Sequence, residues 1–322
     1  MYTIDFHTHP VPQSFREALA DLGIDPIEDD GFPLPAWSIK DHRAFMEEAG
    51  IDYSIFSLPS PHIHNGNDAK SAAAARKINE ELGAAVRDDP RHFGFIACLP
   101  LPYTEGSLDE ITYSMDTLSA LGVKFPTNAN GVYPGDPKLD PVMEELNRRK
   151  ALVIIHPNRA RQAPKDVITG KVAALFEYPA DTTRALLNMI AHNIMVRFPD
   201  IRFVIPHTGS FLPFMYQRMK GVSKILAMNG LMDETNVDDN IRSLYFDIAG
   251  DPEPNQLDML LSITNDDHIV YGSDFPHSPA KIIEMKKRDL EHSKKWESIL
   301  PKIYGENGAR LLTDIGAAVP LS

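Results

Sequence analysis

Short apolar runs recur along the chain, and each is rich in β-branched or aromatic residues. Their hydrophobicity is continuous rather than alternating, which is typical of parallel strands covered on both faces. Polar, helix-forming stretches separate them. The pattern predicts eight strands, at residues 2–7, 51–58, 92–99, 122–125, 151–156, 201–207, 244–249 and 268–275.

The stretches between these strands include three with clear helical composition, at residues 69–88, 140–150 and 181–198. Strand followed by helix, repeated eight times, implies right-handed parallel crossovers and a chain of the size of a (β/α)8 barrel. We therefore predict an α/β protein with one TIM-barrel domain over residues 1–322; a doubly wound open sheet is the alternative. Residues 10–38, rich in Pro and Gly, are expected to form an irregular excursion after the first strand that covers the barrel mouth.

Net charge, cysteine count and the length of apolar runs exclude several classes of binding partner. The net charge of −13 and the sequence pI near 5.3 argue against a nucleic-acid partner, because such proteins carry a basic patch. Cys98 is the single cysteine, so the chain has no intrachain disulfide. No apolar run approaches the roughly 18 residues of a membrane span, and the N-terminus lacks a signal-peptide pattern. We expect a cytoplasmic protein without a membrane partner.

Polar residues occupy the carboxyl ends of several predicted strands, where barrel enzymes place their chemistry. His7 and His9 end the first strand, His156 ends the fifth, His207 ends the sixth and Asp274 ends the eighth. Three imidazoles and one carboxylate suit Zn²⁺, or less often Mn²⁺ or Fe²⁺. We predict one divalent ion, zinc before manganese, held by His7, His9, His156 and Asp274. His207 is predicted to carry a proton, with a role as a further ligand left open.

Other candidates have more than one interpretation. Lys124 lies in the fourth strand, where a carbamylated lysine would bridge two metals, but its mid-strand position favours a single metal. His62 and His64 follow the second strand on a loop that faces the same mouth. They either touch substrate or are solvated, and we favour solvated side chains.

Five segments together resemble a known family. They are HTHP at the start, IIHP in the fifth strand, residues 178–214, YGSDFPHS at 271–278 and NGARLL at 307–312. They resemble the aminocarboxymuconate-semialdehyde decarboxylase branch of the amidohydrolase superfamily. The resemblance implies a barrel with one metal, usually zinc and sometimes manganese, that removes CO₂ without oxidation from small aromatic or muconate acids. It also places the four predicted ligands on the ligand positions and His207 on the catalytic histidine.

Within that branch, residues 99–111 and 128–149 look most like the 6-methylsalicylate decarboxylases. Residues 219–230 contain no arginine, whereas the aminocarboxymuconate enzyme supplies arginine there to hold a second carboxylate. The expected substrate is therefore a small phenolic monocarboxylate of the ortho-hydroxybenzoate, salicylate type. Relatives in the family also imply a homodimer or a larger homo-oligomer.

Decarboxylation leaves an electron pair on carbon, and protonation of the ring carbon gives that pair a place to go. Either Asp274 or His207 delivers this proton, and the sequence leaves both possibilities open. Arg159, beside His156, and the aromatic residues Tyr178 and Phe275 are candidates for substrate contact. Ordinary surface charge and packing are the alternatives for these three residues.

Two other functions are compatible with the same residues. The first is a metal-dependent hydrolase or hydratase of a small ester, lactone or unsaturated acid, in which His207 is the base. The second is a metal-binding barrel without catalytic activity that serves as an interaction module. Release of CO₂ from an ortho-hydroxybenzoate distinguishes the decarboxylase from both.

Overall fold

The strands form a single parallel barrel. The computed structural model describes residues 2–162 and 172–318, and every predicted strand has a counterpart there. The last one is short because the chain leaves the sheet soon after residue 270. The strands are β1 (Ile4–Thr8), β2 (Tyr53–Phe56), β3 (Phe93–Phe95), β4 (Gly122–Pro126), β5 (Leu152–His156), β6 (Arg202–Ile205), β7 (Tyr245–Asp247) and β8 (Ile269–Val270).

Two hydrogen-bonded sheets close on each other. One has the order β1–β2–β3 and the other β4–β5–β6–β7–β8, all parallel. A bridge between Ala97 and Val123 joins β3 to β4, and a bridge between Thr8 and Phe275 joins β1 to the segment after β8. Closure at both seams confirms the barrel and excludes the open sheet.

The barrel interior is filled by apolar side chains. One buried cluster joins residues from strands on opposite sides of the barrel, and such residues meet only through its centre. Its strand members include Ile4, Ile55, Ile154, Val204, Tyr245 and Val270. A second, larger cluster includes the helix faces that cover the strands. The strands are therefore buried on both faces, as their continuous hydrophobicity predicted.

Helices cover the barrel. Among those in the described ranges, none is both long and apolar enough to cross a lipid bilayer. They are α1 (Gln13–Leu22), α2 (Pro26–Asp30), α3 (Ile39–Ala49), α4 (Asp68–Asp88), α5 (Thr104–Asp116), α6 (Asp140–Arg148), α7 (Glu177–Ala191), α8 (Ile194–Arg197), α9 (Leu212–Met228), α10 (Val237–Arg242), α11 (Gln256–Leu261), α12 (Ala280–His292) and α13 (Asn307–Asp314).

Two predictions about helices were wrong. The helix expected over 181–198 is interrupted, because Asn193 adopts a left-handed conformation with φ of 52° between α7 and α8. The excursion at 10–38 is not irregular throughout, since it contains α1 and α2. Phe15, Leu19 and Leu22 recur at helical spacing and are buried, which stabilises α1 despite the flanking prolines.

Candidate metal centre and active site

The structure brings four of the predicted site residues together at the carboxyl end of the barrel. The donor atoms of His7, His9 and His156 lie within 4.8 Å of one another. The His9 Nε2 atom is 3.3 Å from the His156 Nε2 atom and 3.2 Å from Asp274 Oδ1. The same Asp274 oxygen lies 3.6 Å from His7 Nε2. Three nitrogens and one oxygen therefore converge on one small volume.

Strand geometry explains this convergence. His7, in β1, and His9, just after it, are two positions apart, so their side chains leave the same face. The pairing of β1 with β2 shifts register between Asp5 and Thr8, which brings this face to the side of the strand that Ile4 occupies, toward His156. His156 is the last residue of β5. Asp274 lies beyond β8 with φ of 62°, and its backbone N–H donates to the His7 carbonyl at 2.8 Å. That hydrogen bond holds the carboxylate beside the β1 histidines.

Each of the three histidines is held through its Nδ1 atom. The acceptors are Asp247 Oδ2 for His7 (2.7 Å), the Ser57 carbonyl for His9 (2.9 Å) and the Pro157 carbonyl for His156 (2.9 Å). Because these oxygens accept, the proton lies on Nδ1 and the lone pair of Nε2 faces the cluster. The buried Nε2 atom of His7 has no hydrogen-bond partner among the described residues. This arrangement fits a divalent metal ion.

Electrostatics favour a cation at the same place. Burial lowers the pKa of His7, but Asp247 and Asp274 outweigh it and raise the pKa to about 9. Burial lowers the pKa of His9 and of His156, which keeps both imidazoles neutral and able to act as ligands. The two carboxylates therefore attract positive charge, which a metal ion supplies more effectively than a proton.

Asp247 is a site residue that the sequence analysis missed. It ends β7 and is fully buried, and besides His7 it accepts hydrogen bonds from the backbone N–H groups of His207 and Ala249, both at 3.0 Å. It therefore orients a predicted ligand and the backbone of the predicted proton carrier together. An acidic residue inside an otherwise apolar strand was the available indication.

His207 lies beside the three-histidine group, and its donor atom lies within 4.8 Å of donor atoms of His7 and Asp274, so the structure also groups it with two predicted ligands. It follows β6 with φ of 56°, and its ring centroid is 4.9 Å from that of His7. Its buried Nδ1 atom has no hydrogen-bond partner among the described residues. Burial and the nearby His7 lower the pKa of His207, so the ring is neutral. His207 and Asp274 both line the cavity that opens above the cluster.

The cavity above the cluster has a volume of about 470 Å³. Of the predicted substrate contacts, Tyr178 lines it. Phe275 instead stacks on Phe45, with centroids 4.0 Å apart and rings inclined by 3°, because its side chain turns toward α3. Arg159 Nη1 donates to the Glu28 carbonyl at 3.3 Å, so it contacts the segment over the mouth. Neither Phe275 nor Arg159 is among the described lining residues.

The prediction that His62 and His64 are solvated was wrong. His62 is 8% exposed and lies 2.7 Å from the Leu101 carbonyl through Nε2. His64 is 7% exposed and pairs with Asp68 at 3.0 Å. Both imidazoles pack into the loop after β2, where neighbouring polar groups replace water.

His277 is a second residue that the sequence analysis missed. It lines the cavity, with its ring centroid 5.4 Å from that of His9 and 5.6 Å from that of Phe32. Burial lowers its pKa to about 4, so the ring is neutral. Its position three residues after Asp274, in the same loop, was the available indication.

Lys124 is linked to the site through hydrogen bonds of the loop residues at 59–60 and 157. Its Nζ atom donates to the Pro59 carbonyl at 2.6 Å, and burial lowers its pKa to about 8. The next residue, Ser60, donates at 2.7 Å to the Pro157 carbonyl, which is the acceptor of His156 Nδ1. This geometry favours a support for His156 over a bridge between two metals.

Comparison with known proteins identifies the family. The amidohydrolase family profile matches residues 4–313. A 6-methylsalicylic acid decarboxylase from Penicillium expansum is 31% identical over 287 residues, covering 87% of this chain and 86% of the relative. A crystal structure described as amidohydrolase II is 33% identical with a TM-score of 0.89, covering 97% of this chain and 99% of the other.

A further likeness concerns the fold alone. The manganese-bound dihydroxybenzoic acid decarboxylase from Polaromonas sp. JS666 is 19% identical, with a TM-score of 0.80 and 99% coverage of both chains. The profile match covers nearly the whole chain, and the closed barrel carries a histidine and carboxylate cluster at its carboxyl end. The chain therefore belongs to the amidohydrolase family.

Proposed function

We propose that this protein is a metal-dependent, non-oxidative decarboxylase of a small phenolic acid that carries its hydroxyl group ortho to the carboxylate. The convergence of three Nε2 atoms and one Asp274 oxygen at the inner end of a cavity, which His156 and Asp274 line, carries the proposal. The similarity to a decarboxylase of 6-methylsalicylic acid supports the substrate class.

His7, His9, His156 and Asp274 would hold one divalent ion, zinc before manganese. Nitrogen-rich sites with one carboxylate suit both metals, and the manganese-bound decarboxylase of the same fold supports a divalent ion in general. When bound, such an ion supplies Lewis acidity that orients and polarises the substrate oxygens. Asp247, Ser57 and Pro157 keep the three imidazoles in the tautomer and direction that ligation requires.

The reaction exchanges one carbon substituent for another. The bond between the ring carbon and the carboxylate carbon breaks, CO₂ leaves, and a proton takes the electron pair that remains on the ring carbon. The proton must come from a group on the cavity wall. Besides the ligand His156, the described titratable side chains on that wall near the cluster are Asp274, His207 and His277. We assign delivery to Asp274 and a supporting role to His207. Burial raises the pKa of Asp274, but the hydrogen bond from His9 and the charges of His7, His9 and His207 outweigh it and lower the pKa, and Ser278 Oγ donates to its second oxygen at 3.2 Å. Asp274 is therefore a carboxylate before the reaction, and the proton that it delivers to the ring carbon is first taken up from solvent through the cavity.

The test measures CO₂ release and proton delivery to the ring carbon in the same experiment. The purified protein is incubated with 6-methylsalicylate in D₂O, and CO₂ release and deuterium at the former carboxylate carbon are measured. We expect both in equal amounts, loss of both with a chelator, and recovery with Zn²⁺ or Mn²⁺. We expect the D274N variant to release no CO₂ from 6-methylsalicylate and to incorporate no deuterium into a product.

The opposing result is equally specific. Hydrolysis of a lactone or ester panel, or water addition to an unsaturated acid, without CO₂ release from any salicylate would replace the decarboxylase with a hydrolase or hydratase. The homo-oligomeric assembly expected from the family stays a prediction, which light scattering of the purified protein measures.

A further inference from the structure

The cavity is larger than a salicylate ring requires. Its volume is about 470 Å³, whereas an apolar cavity of about 150 Å³ holds a benzene molecule. We propose that the natural substrate carries an uncharged apolar arm on ring carbon 4 or 5, and that this arm lies against an apolar rim formed by Phe32, Phe211, Phe214 and Met259. The inference rests on the proposed function and specifies its substrate.

The cavity has a direction, from a polar inner end to an apolar mouth. His156, at the inner end, is 5% exposed, and the Asp274 side chain is 23% exposed. Among the rim residues, Phe211 is 38%, Met259 40% and Phe214 77% exposed. All of them line the same cavity. A molecule bound in the cavity therefore contacts polar groups at the inner end and apolar side chains at the mouth.

The rim joins parts of the chain that are distant in sequence. Phe211 and Phe214 lie at the start of α9, Met259 lies on α11, and Phe32 follows α2. Phe176 extends the apolar surface, with its ring centroid 5.9 Å from that of Phe211. Large exposed apolar side chains that gather at one place on a protein surface mark a binding site. Continuity with the catalytic cavity identifies the occupant as part of the substrate.

The charges at the mouth are already paired. Outside the histidine and carboxylate cluster, the described lining residues with ionised side chains are Asp251 and Lys286, which lie 2.7 Å apart. A second carboxylate on the substrate would have to compete with Asp251 for that lysine. An uncharged arm fits the rim without breaking the pair.

The attachment point follows from the two ends of the cavity. The carboxylate on ring carbon 1 and the hydroxyl on ring carbon 2 form the polar edge of the substrate, and that edge belongs beside His156 and Asp274. Ring carbons 4 and 5 form the opposite edge. A substituent there points toward Phe214 and Met259, whereas one on carbon 6 stays beside the carboxylate.

The experiment compares kcat/KM for the 4-methyl and 4-propyl salicylates, and for the 5-methyl and 5-propyl pair. We expect the propyl compound to be favoured by about tenfold in at least one pair, because each buried methylene group is worth roughly fourfold. The F214S variant should lower that propyl-to-methyl ratio at least threefold. The matched control is M228S, since Met228 is 78% exposed at the other end of the same helix and does not line the cavity.

Three outcomes would overturn the inference. Equal kcat/KM values for the methyl and propyl compounds in both pairs would contradict the proposed apolar arm. The proposed decarboxylase activity would still stand. An equal loss for methyl and propyl in F214S, together with dissociation of an oligomer, would show that a second copy covers the rim. Absence of CO₂ release from all the salicylates would overturn the proposed function, and this inference with it.

Discussion

The inner end of the cavity is built on strand ends, whereas its mouth is built on loops and helix ends. At the inner end, His7, His9 and His156 each have one ring nitrogen fixed by a buried oxygen. At the mouth, Phe214 and Met259 project from helices into open space. Rigid strands can hold reacting groups within a few tenths of an ångström, while exposed side chains can change without disturbing them. Under the proposed function, the inner end would carry out the reaction and the mouth would select the substrate.

The largest expected effect comes from breaking the inner end. Replacing His156 with alanine removes one of three clustered imidazoles, and activity should fall on the order of a thousandfold or more because the ion is lost. Metal content after desalting and kcat/KM are the measurements. H192A is the matched control, since His192 is exposed on the outside of the barrel. Full metal content with full activity in H156A would contradict the ligand assignment.

The next effect concerns the support of His7. In D247N an amide NH₂ replaces the oxygen that accepts from His7 Nδ1, which favours the tautomer with hydrogen on Nε2 and blocks the lone pair. Metal affinity, measured by competition with a chelator, should fall about 10- to 100-fold. D289N, at an exposed position of α12, should keep the parent affinity. An unchanged affinity in D247N would show that Asp247 only supports the fold.

A smaller effect is expected for the support of His156. In S60A the Pro157 carbonyl loses one donor and keeps its contact with His156 Nδ1, so metal affinity should fall several-fold and less than in D247N. Chelator competition again measures it, with S262A as an exposed control. A loss of metal affinity larger in S60A than in D247N would contradict the view that Asp247 supports the metal ligands more strongly than Ser60 does.

The smallest effect on metal binding is expected for Lys124, where the change to measure is the pH dependence of stability. Burial lowers the pKa of Lys124 to about 8 in the folded protein, below the ordinary lysine value of 10.5 that applies when the chain is unfolded. Between those values the unfolded state binds more protons, so this group makes the free energy of unfolding rise with pH. Denaturant titrations should show K124M losing that rise between pH 8 and 10.5. Parallel pH profiles for the parent and K124M would contradict the depressed pKa.

The strand-borne part of the site was predictable from the sequence. Continuous apolar runs fixed the strand ends, and barrel geometry places residues at those ends on one rim, which is why His7, His156 and Asp274 could be grouped. Asp247 could not be grouped with them from spacing, because its partner His7 lies 240 residues away and the hydrogen bond forms only once the barrel closes between β1 and the segment after β8.

The loop-borne part was less predictable. Phe275 follows Asp274 directly, yet its side chain turns away from the cavity and stacks on Phe45. His62 and His64 were expected in solvent, but nearby oxygens allow their burial. Local sequence does not specify which side of a loop a side chain faces, since that choice is made by contacts with distant elements.

The central claim is that one divalent ion is held by the inner end of the cavity. Anomalous X-ray scattering from crystals of the zinc- or manganese-loaded protein tests it most directly. The account predicts one anomalous peak about 2.0–2.2 Å from the Nε2 atoms of His7, His9 and His156 and from an Asp274 oxygen. A peak coordinated by other residues, or no peak in metal-loaded crystals, would contradict it.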